Sequence, residues 1–279
     1  MRELDIKGFT AAAVFAAGTA CAADLTPMKD AGPYVPSPQS VVSDMLREAG
    51  VTDRDFLIDL GSGDGRIVLT AAKVFGARGF GVEIKEDLVR KANEAAAKEG
   101  VADRVKFIKA DLFKTDISQA TIITMYLLPD TVNMLKDKFL TELKPGTRIV
   151  SHDYPLTGWI PEKYVQMDLE EKVQISGVTT TLIYLYIVPA KVAGQWAAHM
   201  PPAVSRQPAT LSLKQQLTRV SGSLRVDGKD VPLEDAKLRG DKLTFRLAGR
   251  KGEFSGTVKG NAIEGMLDGR TPWTATLGG

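Results

Sequence analysis

Residues Phe56-Leu57-Ile58-Asp59-Leu60-Gly61-Ser62-Gly63-Asp64-Gly65-Arg66-Ile67 carry the pattern that specifies the fold of this chain. The apolar first half, which contains Asp59, is typical of a buried parallel strand, and glycines then occupy every second position. Apolar residues at helical spacing follow from Ile67 to Phe75. A strand, a tight glycine turn and a helix in this order open the nucleotide-binding type of α/β sheet, in which ligands bind beyond the carboxyl ends of the strands.

The spacing of the glycines distinguishes between classes of ligand. Dinucleotide-binding turns have the pattern G-x-G-x-x-G, whereas Gly61, Gly63 and Gly65 form G-x-G-x-G shortly after Asp59. Glycine lets the backbone approach a ligand where a Cβ atom would collide with it. The spacing disfavours an NAD-dependent oxidoreductase. A glycine turn that serves only to reverse the chain has the same pattern, so other positions have to decide.

Acidic residues also end the next two predicted strands. The segment from Arg78 to Val82 predicts a second strand that ends in Glu83, and the segment from Val105 to Lys109 predicts a third that leads to Asp111. An acidic residue about 20 positions beyond a glycine turn can accept both hydroxyls of an adenosine ribose. Acids at three successive strand ends therefore predict a nucleoside site rather than three ordinary surface carboxylates.

The motif D-x-G-x-G-x-G, from Asp59 to Gly65, resembles motif I of the class I S-adenosylmethionine (SAM) methyltransferases. The resemblance implies SAM as the cofactor, with its methionine part against the backbone of the glycine turn and its charged end near Asp59. In the same pattern Glu83 binds the ribose and Asp111 faces the adenine amino group. The predicted cofactor-binding residues are Asp59, Gly61, Ser62, Gly63, Gly65, Glu83, Asp111 and Leu112.

Four segments together resemble a narrower family, the bacterial relatives of the mitochondrial ATP synthase c-subunit lysine methyltransferases. They are Tyr34–Pro38, Asp59–Ile67, Asp111–Phe113 and Tyr126–Pro129, and the ordered similarity covers roughly residues 33 to 165. The Tyr-Val-Pro lead-in is the part that is specific to this family, because motif I is shared by all class I methyltransferases. The resemblance implies SAM-dependent methylation of an amine acceptor such as a protein lysine.

In class I methyltransferases the methyl acceptor lies at the end of the fourth strand. Here that end is Tyr126-Leu127-Leu128-Pro129, which lacks the Asn/Asp-Pro-Pro-Tyr sequence of enzymes that methylate amides and nucleobases. No general base is apparent, and the catalytic residues stay unassigned. A lysine amine, with a pKa of about 10.4, must lose its proton first, and an apolar aromatic slot favours the neutral form. Candidates for the slot are Tyr126, Tyr34, Tyr154 and Trp159; for Tyr154 and Trp159 the alternative is a role in packing.

The order of the remaining elements predicts the seven-stranded sheet of a Rossmann-like methyltransferase, an α/β fold with an antiparallel last strand. A first helix is expected to have Ser37 as its N-cap, Pro38 in its first turn and Gly50 at its end. Later elements are a fourth strand, a single long helix, a fifth strand and a hairpin that turns at Ser176-Gly177. Their expected ranges are 120–126, 129–142, 147–152 and 164–188.

The pattern changes from about residue 193, where short alternating segments are separated by turn pairs such as Asp227-Gly228. We expect a methyltransferase domain at 24–192 and a small C-terminal antiparallel β domain, a meander or half-open barrel, at 193–279. The sequence leaves its role open between binding an acceptor, forming a dimer and covering the catalytic domain.

A short alanine-rich run, from Gly8 to Ala20, precedes Cys21-Ala22-Ala23. This run is too short to span a bilayer, and the small residues after it are typical of a signal-peptide cleavage site. We expect residues 1–23 to be a signal peptide and the mature chain to begin at Asp24, in the periplasm or outside the cell. A cytoplasmic location is the alternative.

Composition limits the other classes of function. The net charge of +2 does not indicate a nucleic-acid partner, and two histidines with a single cysteine do not form a metal site. Ser151-His152-Asp153 are consecutive strand residues on alternating faces, so they do not form a catalytic relay. The sequence predicts methyl transfer to an amine, such as a protein lysine of the envelope or membrane. The alternatives are a small-molecule methyltransferase and a non-catalytic SAM-binding module.

Overall fold

A seven-stranded sheet and an eight-stranded barrel follow one another in the computed structural model, which describes residues 32–278. The predicted signal peptide lies outside these residues. The helices are α1 (Gln39–Glu48), α2 (Arg66–Phe75), α3 (Glu86–Lys98), α4 (Pro129–Met134), α5 (Lys136–Glu142) and α6 (Glu170–Ser176). The strands of the sheet are β1 (Phe56–Leu60), β2 (Arg78–Glu83), β3 (Val105–Lys109), β4 (Ile122–Met125), β5 (Arg148–His152), β6 (Lys163–Asp168) and β7 (Thr180–Ile187). In the described part of the chain no helix is long and apolar enough to cross a membrane.

The sheet has the strand order β3-β2-β1-β4-β5-β7-β6, and this confirms the predicted methyltransferase topology. Strands β1 to β5 are parallel, whereas β7 is antiparallel to both of its neighbours. Two separate hydrophobic clusters cover the two faces, one with α1, α2 and α3 and the other with α4 and α5. The central parallel strands β1 and β4 are nearly continuous apolar runs because helices bury both faces, whereas the edge strand β3 exposes Lys106 and Lys109.

Three local predictions were wrong. Helix α1 has Pro38 at its N-cap position, without a side-chain cap. Ser37 is not the cap because it lies one residue before that position, where its buried hydroxyl hydrogen-bonds to Nδ1 of His152 at 2.8 Å. The long helix at 129–142 is instead two short helices separated at Leu135, whose N–H donates to the Val132 carbonyl in a tighter, 3₁₀-like turn.

The expected hairpin at 164–188 contains a helix between its strands. Strand β6 ends at Asp168, which pairs with Thr180 of β7, and α6 occupies the chain between them. Glu170 and Glu171, in the first turn of α6, stabilise the helix because their negative charges lie at the positive end of its dipole. Gly177 ends the helix in the left-handed conformation. These terminal preferences outweigh the strand-like pattern of the segment.

The C-terminal domain is antiparallel, as predicted, but its barrel is closed. Its strands are β8 (Gly194–His199), β9 (Ala209–Gln216), β10 (Arg219–Val226), β11 (Lys229–Arg239), β12 (Lys242–Leu247), β13 (Phe254–Lys259), β14 (Ala262–Leu267) and β15 (Thr271–Leu277). The first strand, β8, pairs with both β9 and β15 and so removes the two open edges. Phe245 and Phe254 stack at 4.9 Å in the core, with Trp273 edge-on to both.

The barrel meets the sheet where β5 begins. Arg239 forms an ion pair of 2.6 Å with Glu162, and the Gly240 carbonyl accepts a hydrogen bond from the Ala190 N–H. Leu217, in the β9–β10 turn, packs against the hydrophobic cluster of the sheet. The carboxyl ends of the parallel strands point away from this junction. The predicted boundary between residues 192 and 193 falls between β7 and β8.

Candidate active site

A pocket opens at the carboxyl ends of β1, β2 and β4, the edge where ligands bind in sheets of this type. Its empty space is about 1010 Å³ when the part open to solvent is included. The walls come from the segment before α1, the glycine turn, the ends of β2 and β3, and the chain after β4. The lining includes residues 32–37, Asp59, residues 61–64, residues 82–85, Ala110, Leu112, residues 126–128 and Tyr154.

The glycine turn forms the floor of this pocket. The N–H groups of Gly61 and Ser62 both donate to the Val82 carbonyl, each at 2.9 Å. Gly63 lines the pocket, whereas Gly65 lies behind it at the start of α2. A Cβ atom on Gly65 would lie 2.6 Å from the Phe107 ring, so this glycine serves the packing of α2 on the sheet.

Ser62 brings an unpartnered hydroxyl to the same floor. The residue is 6% exposed, and its Oγ has no hydrogen-bond partner among residues 32–278. A buried hydroxyl without a partner is costly, and a polar ligand in the pocket would offset that cost.

Glu83 shapes the turn as well as the pocket wall. One carboxylate oxygen accepts the Gly63 N–H at 2.9 Å. The other accepts the N–H groups of Ile84 at 2.8 Å and Lys85 at 2.9 Å. Three backbone donors thus fix the carboxylate at the carboxyl end of β2, which is the position predicted for a ribose ligand.

Asp59 is buried beneath the glycine turn. It accepts a hydrogen bond of 2.7 Å from the Thr124 hydroxyl of β4. Burial raises the pKa of Asp59 to about 7 against the effect of that hydrogen bond, and the nearby carboxylates of Glu83 and Asp64 add to the rise. A cationic ligand in the pocket would favour the ionised form and reverse part of this shift.

Asp111 is not among the described residues that line the pocket, although Ala110 and Leu112 on either side of it are. One of its carboxylate oxygens accepts the Phe113 N–H at 2.8 Å and closes the turn after β3. The structure therefore gives Asp111 a part in that turn, and its contact with an adenine stays a prediction.

The segment 32–37, here called the strap, forms the outer wall of the pocket. The Tyr34 ring lies over Gly63, and its hydroxyl interacts with Asp64 and Arg66. Arg66 donates to the Ser37 carbonyl at 2.7 Å and pairs with Asp64 at 2.6 Å. Burial raises the pKa of Asp64, but hydrogen bonds and the charge of Arg66 bring it below its ordinary value.

Sequence reasoning missed Asp64 and Arg66 as strap anchors. One signal was available in the sequence, because Arg66 stands at the first position of α2. A cation is disfavoured at the positive end of a helix dipole. Such a placement indicates that the side chain has a partner elsewhere, and here the partners are a carboxylate and a carbonyl of the strap.

Aromatic rings form the far wall, where β4 ends. Tyr126 and Tyr154 line the pocket, and their rings stack at 6.4 Å with an interplanar angle of 20°. The His152 ring also packs on Tyr126, with ring centroids 3.9 Å apart. Burial lowers the pKa of His152 to about 4, so this ring is neutral at pH 7. Leu128, 45% exposed, stands at the rim.

Trp159 does not join this wall. The residue is 3% exposed and packs on Tyr186, with ring centroids 5.7 Å apart. The described lining of the pocket does not include it. The structure therefore supports the packing alternative for Trp159, whereas Tyr126, Tyr34 and Tyr154 are brought together around one space.

The chemistry of the pocket fits SAM. SAM carries positive charge on its sulfur and its amino group, and the carboxyl groups of Asp59, Glu83 and Asp64 line the walls. The Ser62 hydroxyl supplies a free polar group, and Gly61 and Gly63 let the ligand approach the backbone closely. Tyr126 and Tyr154 of the aromatic wall line the same pocket.

Comparison with known proteins gives the same assignment. The family model described as the ANTKMT methyltransferase domain matches residues 59–163. A protein-lysine N-methyltransferase of Saccharolobus islandicus is 43% identical over 157 residues, which are 56% of this chain and 93% of that protein. The ATP synthase c-subunit lysine N-methyltransferase of Xenopus laevis is 32% identical over 130 residues, 47% of this chain. The chain spans only 57% of the length of that second relative.

A solved structure is similar over the same share of the chain. The crystal structure described as an RNA methyltransferase from Salinibacter ruber, in complex with S-adenosyl-L-homocysteine, has 45% sequence identity and a TM-score of 0.51. The match covers 57% of this chain and 96% of that one.

Proposed function

Because the chain belongs to the family of SAM-dependent methyltransferases that contains these protein-lysine N-methyltransferases, we propose that its methyl acceptor is the side-chain amine of a protein lysine. The observation that carries the proposal is the pair of stacked rings of Tyr126, which follows β4, and Tyr154, which follows β5; both line the pocket proposed for the cofactor. A long, thin amine side chain can lie along the flat faces of these rings.

The residues of the pocket divide between cofactor and acceptor. Asp59, the glycine turn and Glu83 would hold SAM, with the strap across its outer side. When bound, SAM supplies a methyl group on a positively charged sulfur. The amine nitrogen would attack this methyl carbon from the side opposite the sulfur and displace the sulfur. Tyr126 and Tyr154 exclude water from the amine and orient it, and orientation of the two reactants supplies much of the rate enhancement in such a step.

The aromatic wall also acts on the protonation of the acceptor. A lysine ammonium has no free electron pair, and its ordinary pKa of about 10.4 keeps it charged at pH 7. Transfer into a slot lined by aromatic rings disfavours the charged form and lowers that pKa. The neutral amine then presents its electron pair to the methyl group, and its proton has left to solvent before the transfer.

The acceptor class can be tested with labelled SAM. The purified protein is incubated with SAM carrying a tritiated methyl group and an extract of its native host from which the gene has been deleted. We expect label in protein, as methyl-lysine after hydrolysis. Glu83→Ala should reduce the labelling and Glu86→Ala, on the exposed face of α3, should not. Label in RNA or only in the small-molecule fraction would assign a different acceptor.

The acceptor compartment follows from the N-terminal pattern. We propose that residues 1–23 are removed and that the acceptor is a protein of the envelope or membrane, because a short apolar run precedes Cys21-Ala22-Ala23. Supply of SAM outside the cytosol is the objection to this location. N-terminal sequencing and fractionation of the native protein decide it: a first residue of Asp24 supports export, and an intact Met1 in the cytosol contradicts it.

A further inference from the structure

Tyr126 is the residue of the aromatic wall that packs on two other rings. It follows β4 directly, and its ring packs on His152, with centroids 3.9 Å apart, and on Tyr154, with centroids 6.4 Å apart. Nδ1 of His152 is in turn hydrogen-bonded to the strap through the Ser37 hydroxyl. With two rings packed on it, Tyr126 has little freedom to turn, and the position of its hydroxyl is set by the fold.

A buried ion pair lies beside that hydroxyl. Burial raises the pKa of the Tyr126 phenol, and the charge of Asp153 and a hydrogen bond to its carboxylate add to that rise. Asp153 Oδ1 also lies 3.6 Å from Nε2 of His152, whose ring is packed on Tyr126. The Asp153 carboxylate accepts a hydrogen bond of 2.7 Å from Nζ of Lys172, which is 2% exposed, and one of 3.1 Å from the Leu182 N–H. Lys172 also donates to the Thr180 carbonyl at 2.5 Å. Lys172 and Asp153 thus form a buried ion pair.

The backbone supports the same arrangement. Asp153 has a φ of 63°, in the left-handed region that residues other than glycine rarely adopt. Strained backbone of this kind persists where the surroundings hold it, and it is concentrated at functional sites. Here the strained residue follows β5 directly and stands between His152 and Tyr154 in the chain.

We propose that Tyr126 is a hydrogen-bond acceptor for the attacking amine, and that Asp153, held by Lys172, positions it for this role. The inference rests on the proposed function. A carboxylate that pairs with a lysine accepts hydrogen bonds, so the Tyr126 hydroxyl donates a hydrogen bond to Asp153 and keeps its proton. The oxygen lone pairs are then left for one N–H of the lysine amine.

The direction of this hydrogen bond matters for the reaction. A tyrosine hydroxyl that donated to the amine would occupy the electron pair that has to attack the methyl carbon. With its proton committed to Asp153, Tyr126 instead binds an N–H and leaves that pair free. The N–C bond forms as the C–S bond breaks, S-adenosylhomocysteine leaves as a neutral thioether, and the product is a secondary ammonium.

This arrangement makes the site sensitive to the number of N–H groups on the acceptor. An unmodified lysine amine has two of them, one of which can donate to Tyr126 during attack. A dimethyl-lysine amine still has an electron pair but no N–H. Loss of the Tyr126 oxygen should therefore matter for the first kind of acceptor and not for the second.

The experiment compares Tyr126→Phe with wild type on two probes, a host extract from the deletion strain and the same extract whose lysines have been converted to dimethyl-lysine by reductive methylation. Tyr164→Phe is the matched control, because Tyr164 lies in β6, 48% exposed, outside the pocket. SAM affinity is measured by calorimetry alongside. A double variant, D153N/K172M, removes both buried charges without leaving either one unpaired.

For Tyr126→Phe we expect SAM affinity within about twofold of wild type and a rate on unmodified extract about tenfold lower, the size of one hydrogen bond. On the dimethylated extract, the rate of Tyr126→Phe should equal that of wild type. If wild type labels only the unmodified extract, this preference for acceptors with an N–H is also an expected result. D153N/K172M should change the two rates in the same direction as Tyr126→Phe does. Tyr164→Phe should change neither the rates nor the SAM affinity.

Two results would overturn the inference while the proposed function stands. One is an unchanged rate of Tyr126→Phe on unmodified extract, and the other is an equal fractional loss on both extracts, which is the signature of a purely structural role. Absence of methyl-lysine from the wild-type reactions on both extracts would instead overturn the proposed function, and this inference with it.

Discussion

The ring of Tyr34 lies directly over Gly63, so that a Cβ atom built on Gly63 would stand only 2.4 Å from Cε2 of that ring. The strap and the glycine turn are therefore in contact before any ligand is considered. Because Gly63 has no side chain, the strap can pack against its outer side and a ligand can approach its inner side.

We predict that Gly63→Ala weakens SAM binding by displacing the strap. Gly63 has a φ of 53°, so the alanine also carries backbone strain of about 1–2 kcal/mol. Gly158→Ala is the control, because Gly158 has a φ of 79° and a Cβ atom there would have nothing within 4 Å. Calorimetric titration with SAM, together with thermal unfolding, should show an affinity loss in the first variant only.

The double variant G63A/Y34A separates the two surfaces. If the strap contact is the cause, removal of the Tyr34 ring makes the alanine harmless, and the double variant binds SAM as Tyr34→Ala alone does. A further loss in the double variant would show that the new methyl group blocks the ligand instead.

Glu83→Ala should weaken SAM binding by about 1–3 kcal/mol, the range for lost hydrogen bonds to a charged group. It should also lower the free energy of unfolding, because the carboxylate accepts three backbone N–H groups. Glu86→Ala, whose side chain is 78% exposed, is the matched control. Wild type should bind a SAM analogue without ribose hydroxyls more weakly than SAM, by an amount similar to the loss that Glu83→Ala causes. If wild type binds this analogue as tightly as SAM, Glu83 does not contact the ribose.

The pKa of Asp59 predicts that SAM binding releases a proton. In the protein without ligand, burial raises this pKa to about 7, so at pH 6 to 7 a large fraction of Asp59 is protonated. A cationic ligand nearby favours the carboxylate and lowers the pKa, and the proton leaves. Calorimetry in buffers of different ionisation enthalpy measures the release. Asp59→Asn should show less release than wild type, and equal release in both would place the proton elsewhere.

The same shift gives a pH dependence of stability. The pKa of Asp59 is higher in the folded state, about 7, than its ordinary value of 3.8. The unfolded chain therefore ionises first, and stability falls as pH rises from about 4 to about 7. His152 opposes this trend, because its lowered pKa of about 4 costs stability as pH falls below its ordinary value of 6.5. Comparison of Asp59→Asn with wild type by denaturant unfolding isolates the first effect.

A further prediction concerns the junction between sheet and barrel. A Cβ atom on Gly240 would lie 3.0 Å from Cα of Gly146, whereas one on Gly228 has nothing within 4 Å, and both glycines have positive φ in two-residue hairpin turns. Gly240→Ala should therefore lose more unfolding free energy than Gly228→Ala, by about 1 kcal/mol, the low end for overpacking. SAM affinity should be unchanged in both, because the junction lies away from the carboxyl ends of the strands.

The fold class and the cofactor pocket could be predicted from the sequence alone. Strand β1, the glycine turn and α2 are specified by residues within 20 positions of each other, and the acidic residues that end the next strands agree with the same interpretation. Family resemblance then extended this local signal to SAM and to an amine acceptor. Turn pairs such as Asp227-Gly228 were also predictable, since φ > 0 is a local requirement.

Contacts across long separations, by contrast, became visible only in the folded chain. Lys172 reaches Asp153 from 19 positions away, Ser37 reaches His152 from 115, and β8 closes the barrel against β15 at the far end of the domain. Nothing local marks such pairs, because a buried ion pair or hydrogen bond is chosen by what the fold brings next to it. For the same reason Trp159 went to the core and Tyr126 to the pocket, although both are aromatic residues near strand ends.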